Sequence, residues 1–251
     1  MIVSDDTSHP GLLIAAHGER TAGAANEGTF RIARALADQG LASEVVVGFI
    51  RGVPSIKDAL GAVTASNLLV YPLFVANGYF TRDRLVQLLD EANGQGRKVE
   101  VMAPLGLDPG LPDLVLNFAR RAACERGFVP HACRVVLLAH GSRKNCRSRN
   151  STEQMARALE VYAEFRSVHT AFLEEPPSLS AVAASIEGPV VVVGMFSGEG
   201  LHGAKDAPRL VSELDRKDVA FAGVIGNASG IEHLIARSVQ NALHQNSRQR
   251  H

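Results

Sequence analysis

The sequence predicts an α/β protein of two tandem lobes, each a doubly wound parallel sheet with helices on both faces. Three observations carry that expectation. An apolar run that stops at a histidine and a glycine occurs twice, as Leu12-Leu13-Ile14-Ala15-Ala16-His17-Gly18-Glu19-Arg20 and as Val135-Val136-Leu137-Leu138-Ala139-His140-Gly141-Ser142-Arg143. The spacing of 123 positions between those histidines recurs from Phe49 to Phe172, from Pro54-Ser55 to Pro177-Ser178 and from Asp83 to Asp206, with no gap needed. Gly106 and Gly110 match Gly226 and Gly230 at 120, which puts a loss of three residues between Asp83 and Gly106. The chain is an internal duplication.

Each copy reads as strand, helix, four times over. In the first copy the strands are Gly11–Ala16, Glu44–Ile50, Asn67–Phe74 and Lys98–Ala103. They are short, nearly continuous apolar runs, as parallel strands covered on both faces require. Helical patterns lie between and after them, at Ala24–Gln39, Pro54–Thr64, Thr81–Ala92 and Leu111–Arg126. Pro54 just inside one start and Gly40 just past one end follow the usual asymmetry of helix termini. The second copy has strands at Arg134–Ala139, Val168–Leu173, Pro189–Met195 and Val219–Val224. Its helices fall near Arg149–Phe165, Pro176–Ile186, Ala204–Leu214 and Ser229–His244. Residues 1–127 and 128–251 form the two expected lobes, and the stretch Gly127–Ala132 between them is too short for a free linker.

Composition narrows the function. The 251 residues divide into units of roughly 120, long enough to bury a core each. Lys plus Arg and Asp plus Glu number 26 each, so no net field draws in nucleic acid or an anionic membrane. No apolar run reaches the ~18 residues of a membrane span, and Met1–Asp6 carries acids where a secretory signal carries bases. A cytoplasmic location is expected. Cys124, Cys133 and Cys146 contain no CxxC pair and read as reduced thiols.

In a doubly wound sheet, chemistry gathers at the carboxyl ends of the strands. In the second copy these ends present His140-Gly141-Ser142-Arg143, then Phe172-Leu173-Glu174-Glu175-Pro176-Pro177-Ser178, then Gly198-Glu199-Gly200-Leu201-His202-Gly203-Ala204-Lys205-Asp206. Adjacent strands are ~4.8 Å apart, so His140, Glu174 and His202 are placed to converge as a metal or acid–base site. Two imidazoles and a carboxylate suit Fe²⁺, Co²⁺, Ni²⁺ or Zn²⁺. Taken singly, each is an ordinary turn or helix-start residue. The first copy acts as an internal control: it keeps His17 but has Arg51 in place of Glu174 and Tyr79 in place of His202. Fold requirements are common to both copies, so residues that diverge point to function, and the working centre is expected in the second copy. His17 reads either as a turn residue or as a ligand contact.

Other chemistries fit poorly. Gly198–Gly203 matches GxGxxG in spacing but follows the third strand, with a histidine beside its last glycine, against a dinucleotide site. A phosphohistidine enzyme needs arginine before the histidine, whereas alanine precedes both His17 and His140.

The motifs Ala139-His140-Gly141-Ser142-Arg143, Phe172-Leu173-Glu174 with Pro177-Ser178-Leu179, and His202–Pro208 resemble the class II tetrapyrrole metal chelatases of the CbiX type, the sirohydrochlorin cobalt and iron chelatases. Leu13–Arg20, Pro54-Ser55-Ile56 and Pro72-Leu73-Phe74 with Thr81-Arg82-Asp83 repeat the pattern in the first copy. The resemblance implies a chelatase fold with a tetrapyrrole cleft, family histidines at His140 and His202, and an acidic metal ligand at Glu174. It implies ATP-free insertion of Co²⁺ or Fe²⁺, as substrate metal and not as prosthetic group, into a sirohydrochlorin-type ring of the cobalamin or sirohaem pathway. Two departures stand out: Tyr79 in the first copy, and Gly200-Leu201 where the family has a glycine pair. Neutral imidazole binds metal or takes a proton near neutrality, and Glu174 would offset the cost of stripping water from the ion. Arg143, Lys144, Arg147 and Arg149 are candidates to hold ring carboxylates. Ser142 would donate to the ring or cap the next helix, and Glu199 is a second acid near the metal or a loop residue. The rival reading is a non-catalytic carrier of metal or tetrapyrrole. The expected partners are tetrapyrrole and divalent metal, without nucleic acid or membrane, and a monomer is favoured because two lobes already make a cleft.

Overall fold

A computed structural model describes residues 9–18, 26–76, 78, 80–93, 96–143, 146–198 and 205–248. In the first lobe β1 (Gly11–Ala16), β2 (Val45–Phe49), β3 (Asn67–Pro72) and β4 (Lys98–Val101) alternate with α1 (Glu27–Asp38), α2 (Ile56–Ala62), α3 (Leu85–Ala92) and α4 (Leu111–Glu125). The second lobe repeats this with β5 (Arg134–Ala139), β6 (Ser167–Phe172), β7 (Val190–Gly194) and β8 (Val219–Val224). Its helices are α5 (Arg147–Glu160), α6 (Leu179–Ser185), α7 (Ala207–Ser212) and α8 (Ile231–Arg248). All pairings are parallel, in the orders β2-β1-β3-β4 and β6-β5-β7-β8. The lobes are the two doubly wound sheets expected from the sequence.

Register refines the repeat. Leu12 pairs with Val45 and Val135 with Val168, both 123 apart. Leu12 also pairs with Leu69, whereas Val135 pairs with Val191, so β3 and β7 are offset by 122. The spacing of 123 between Asp83 and Asp206 therefore hides a one-residue loss before β7 and a one-residue gain after it.

Helices α2 and α6 begin two and three residues later than expected, at Ile56 and Leu179. Pro54 and Pro177 are not helical; their carbonyls accept from Phe49 N–H and Phe172 N–H, each at 2.9 Å, which holds them extended at the strand ends. Ser55 and Ser178 are the caps, accepting from Asp58 and Ala181 N–H. Gly40 does follow α1, at φ 64°. A feature the sequence did not signal closes the far end of α2 and α6. Arg97 donates to the carbonyls of Leu60, Val63 and Ala65, and Arg216 to those of Ala183, Ile186 and Gly188, the same three positions in each lobe.

The inner strands β1, β3, β5 and β7 are buried almost throughout and the outer strands less so, β4 least of all, and one continuous apolar cluster runs through both lobes. It is continuous because α4, which precedes residue 127, lies on β7 and β8 and touches α5. Its Phe118 approaches Gly223 of β8, a glycine at φ 100° with room for the ring. In return α8 packs on α1. Ile231, Ile235 and Val239 of α8 are fully buried in the shared cluster, each stabilising by about 1.5–3 kcal/mol. Polar ties cross the same seam: Ser238 with Asp108 and Arg31 with Glu232. All three cysteines are free thiols. No helix among the described residues is long and apolar enough to cross a membrane.

Candidate functional site

Strand order decides where a site forms. From β5 the chain moves outward to β6, and from β7 outward the other way to β8, so the carboxyl ends of β5 and β7 flank the switch point. His140 stands at that point, directly after β5. The next residue, Gly141, has φ 73°, and a Cβ there would lie 2.8 Å from Glu175 Cγ and 2.9 Å from Phe172 Cβ. Glycine is required for the turn, and Gly18 repeats it at φ 73° in the first lobe.

His140 Nδ1 lies 3.0 Å from the Gly141 carbonyl. A carbonyl only accepts, so Nδ1 carries a proton, and in the neutral ring Nε2 is then the atom that can bind a metal or take a proton. Glu174 N–H donates to the His140 carbonyl at 3.0 Å, which seats Glu174 beside His140 with its side chain exposed. Arg51 N–H makes the same bond to the His17 carbonyl at 2.7 Å. Arg51 and Glu174 therefore occupy equivalent places, as the repeat predicts. His202 and Glu199 lie outside the described residues, as do Tyr79 and Lys144. Among the described residues no group of three or more His, Cys, Asp or Glu side chains is gathered as a metal would need.

The basic run after His140 is largely spent within the protein. Arg147 pairs with Asp83 of the first lobe at 3.1 Å. Arg149 pairs with Glu175 at 2.6 Å, reaches the Pro176 carbonyl, and lies 4.8 Å from the Phe172 ring centre. These two arginines are braces rather than open cations, because acids and an aromatic face stand within their reach. Arg143 uses Nε on the Glu174 carbonyl at 2.8 Å and is otherwise exposed. Ser142 does not cap α5, whose cap position is Cys146 without a side-chain bond. Ser142 N–H instead donates to Glu175 at 2.9 Å.

Glu175 is the residue that sequence reasoning passed over. Burial would raise its pKa, but the Ser142 N–H and the Arg149 guanidinium outweigh it and hold the carboxyl below its ordinary value. The available signal was its counterpart, Gly52, since only the second lobe has an acid there.

His17 packs edge-on against Phe80, with ring centres 4.6 Å apart, and the Arg51 guanidinium lies 5.9 Å from the same ring centre. Val75, Ala76 and Gly106 of the first lobe meet Ala139, His140, Thr152, Met155 and Met195 of the second around a cavity of about 60 Å³. That volume holds a water or an ion, not a macrocycle. A larger hollow of about 480 Å³ runs along edge strand β6 between α5 and α6, past Glu153, Arg157 and His169. Burial lowers the pKa of His169, whose Nε2 is 2.8 Å from Ser167 Oγ. One lobe alone builds that hollow and no carboxyl strand end opens into it, so its size does not outweigh the chemistry at His140.

The model of the CbiX family matches residues 11–122 and, a second time, residues 134–242. The chain belongs to the CbiX family. The two matched spans are the two copies of the repeat. The probable sirohydrochlorin cobaltochelatase of Halobacterium salinarum is 21% identical over 250 residues, covering 86% of this chain and 85% of that protein. Among solved structures, the CbiX described as the terminal enzyme for biosynthesis of siroheme in denitrifying bacteria has a TM-score of 0.72 at 23% identity, over 93% of this chain and 99% of that one. The sirohydrochlorin chelatase SirB from Bacillus subtilis subspecies spizizenii, in complex with cobalt, has a TM-score of 0.75 at 18% identity, over 92% and 94%. At these identities the structures establish a common bilobal fold.

Proposed function

We propose that this CbiX-family chain is an ATP-independent metal chelatase that inserts Co²⁺ or Fe²⁺ into a sirohydrochlorin-type tetrapyrrole, for cobalamin or sirohaem biosynthesis. The observation that carries the reading is His140: it stands at the switch point, its carbonyl bonded to the Glu174 N–H, in the one lobe where a carboxylate replaces Arg51. The names of the relatives support the same chemistry. In this reading residues 128–251 hold the metal site, and residues 1–127 form the opposite wall of the cleft. Insertion removes two pyrrole protons and strips water from the ion. His140 binds the metal or receives a proton, Glu174 supplies negative charge that offsets dehydration, and His202 is the second imidazole. Ser142, Arg143, His17 and Glu199 contact the macrocycle. Metal enters as substrate with no prosthetic group, and the protein acts as a cytoplasmic monomer.

The test is anaerobic incubation of the purified chain with sirohydrochlorin and Co²⁺ or Fe²⁺, following the absorbance change of the ring. Acceleration over buffer with one or both metals is expected. Tight binding of ring or metal without any acceleration would put the carrier reading ahead.

A further inference from the structure

Engaging Arg147 and Arg149 inside the protein leaves a polyanionic ring short of cations on the His140 side. The first lobe offers one. Arg51 is exposed, its N–H is tied to the His17 carbonyl, and its guanidinium lies beside the Phe80 ring that His17 also touches. No carboxylate pairs with the Arg51 guanidinium among the described residues. Phe80 opens the π-helical turn Phe80–Arg84, and Asp83 of that turn reaches Arg147 across the lobes. The turn that carries Phe80 is therefore tied across the lobes to the segment that follows His140.

We infer that Arg51, backed by Phe80, is a subsite for a carboxylate on the rim of the macrocycle. The inference rests on the chelatase reading and specifies how the lobes share its substrate. Duplication placed two equivalent corners on one cleft. With Glu174 one corner favours a divalent cation; with Arg51 the other repels that cation and attracts an anion. A guanidinium stays charged at all working pH values and offers paired N–H groups in the plane a carboxylate accepts. The aromatic face restricts that plane and leaves the charge intact.

The experiment is a titration of the full chain with metal-free sirohydrochlorin, followed by ring absorbance and fluorescence, for wild type, Arg51→Ala and Arg51→Lys. The fully methyl-esterified ring serves as control. Loss of one charge-assisted contact is expected to weaken binding of the free acid roughly tenfold to hundredfold in Arg51→Ala. Arg51→Lys should recover part of that loss, and the ester should bind wild type and Arg51→Ala alike. Circular dichroism checks that each variant is folded. Equal affinity of wild type and Arg51→Ala for the free acid, or an equal loss for the ester, would overturn the subsite while leaving the chelatase reading intact. A wild-type chain that binds no sirohydrochlorin overturns both.

Discussion

After β1 and after β5 the backbone follows one path. Each strand ends in a histidine and a glycine at φ 73°. In each, the neighbouring strand returns an N–H to the histidine carbonyl, and a proline carbonyl accepts from the phenylalanine that ends that strand. The side chains on this common frame are opposed: Arg51 against Glu174, Gly52 against Glu175, and Phe80 packed on His17. Two copies that keep a backbone while inverting its charge separate what the fold needs from what the chemistry uses. The glycines and the Pro-Ser steps belong to the fold. Of the divergent side chains, Glu175 braces the corner through Ser142 and Arg149, and Arg51 and Glu174 are the pair on which the proposed chemistry turns.

The sharpest way to break that comparison is to remove each histidine. His140→Ala is expected to lower the rate of metal insertion by about 10²- to 10⁴-fold, the range for a lost acid–base group, and His17→Ala by less than about tenfold. Anaerobic initial rates with sirohydrochlorin and Co²⁺ measure both, and equal losses would mean that the lobes share the chemistry.

The glycines test the common frame. A Cβ on Gly18 would lie 2.2 Å from the Arg51 carbonyl oxygen, whereas one on Gly141 would first meet the Glu175 side chain at 2.8 Å. Backbone yields less than a side chain, so Gly18→Ala should cost about 3 kcal/mol and Gly141→Ala about 2 kcal/mol. Urea denaturation reads the difference. The reverse order would show that the Arg51 segment moves more readily than the Glu175 brace.

The smallest expected effect concerns Glu175, which the first lobe replaces with glycine. Glu175→Gln should cost about 1–2 kcal/mol at neutral pH, as expected for hydrogen bonds to a charged group. The folded-state pKa of Glu175 is depressed. Its stabilisation is therefore present above the unfolded value of about 4.3 and is lost as pH falls through the folded value. Melting temperatures recorded between about pH 3 and pH 7 should converge for wild type and Glu175→Gln at the acid end. Parallel curves would mean that the carboxylate braces the corner by shape and not by charge.

Much of the fold was legible because strands such as Val190–Gly194 and Leu12–Ile14 are runs that only a two-sided burial explains. The start of α2 was misread because Pro54 suits a first helical turn in general. Here its carbonyl is already committed to Phe49, which no local rule reveals. The one-residue change before β7 was invisible for a related reason: sliding a valine run by one leaves its hydropathy unchanged, and only the hydrogen-bonded register separates Val191 from Val192. His140 and Glu174 were readable as strand-end residues, and a backbone hydrogen bond joins them. Glu175 was not singled out, because two adjacent glutamates look alike until the backbone aims one at Ser142 and Arg149.

The linear chain by itself determined the duplication, the parallel α/β lobes, the paired His-Gly corners and the positions where the copies part. Those properties are local or periodic, so spacing and hydropathy record them. Tertiary structure alone decided that α4 covers the sheet of the other lobe, that Arg147 and Arg149 are held by Asp83 and Glu175, and that Arg51 lies beside Phe80. An apolar stripe states that a helix will be buried, and a charge that it seeks a partner. Which partner it meets depends on shapes brought together from distant parts of the chain.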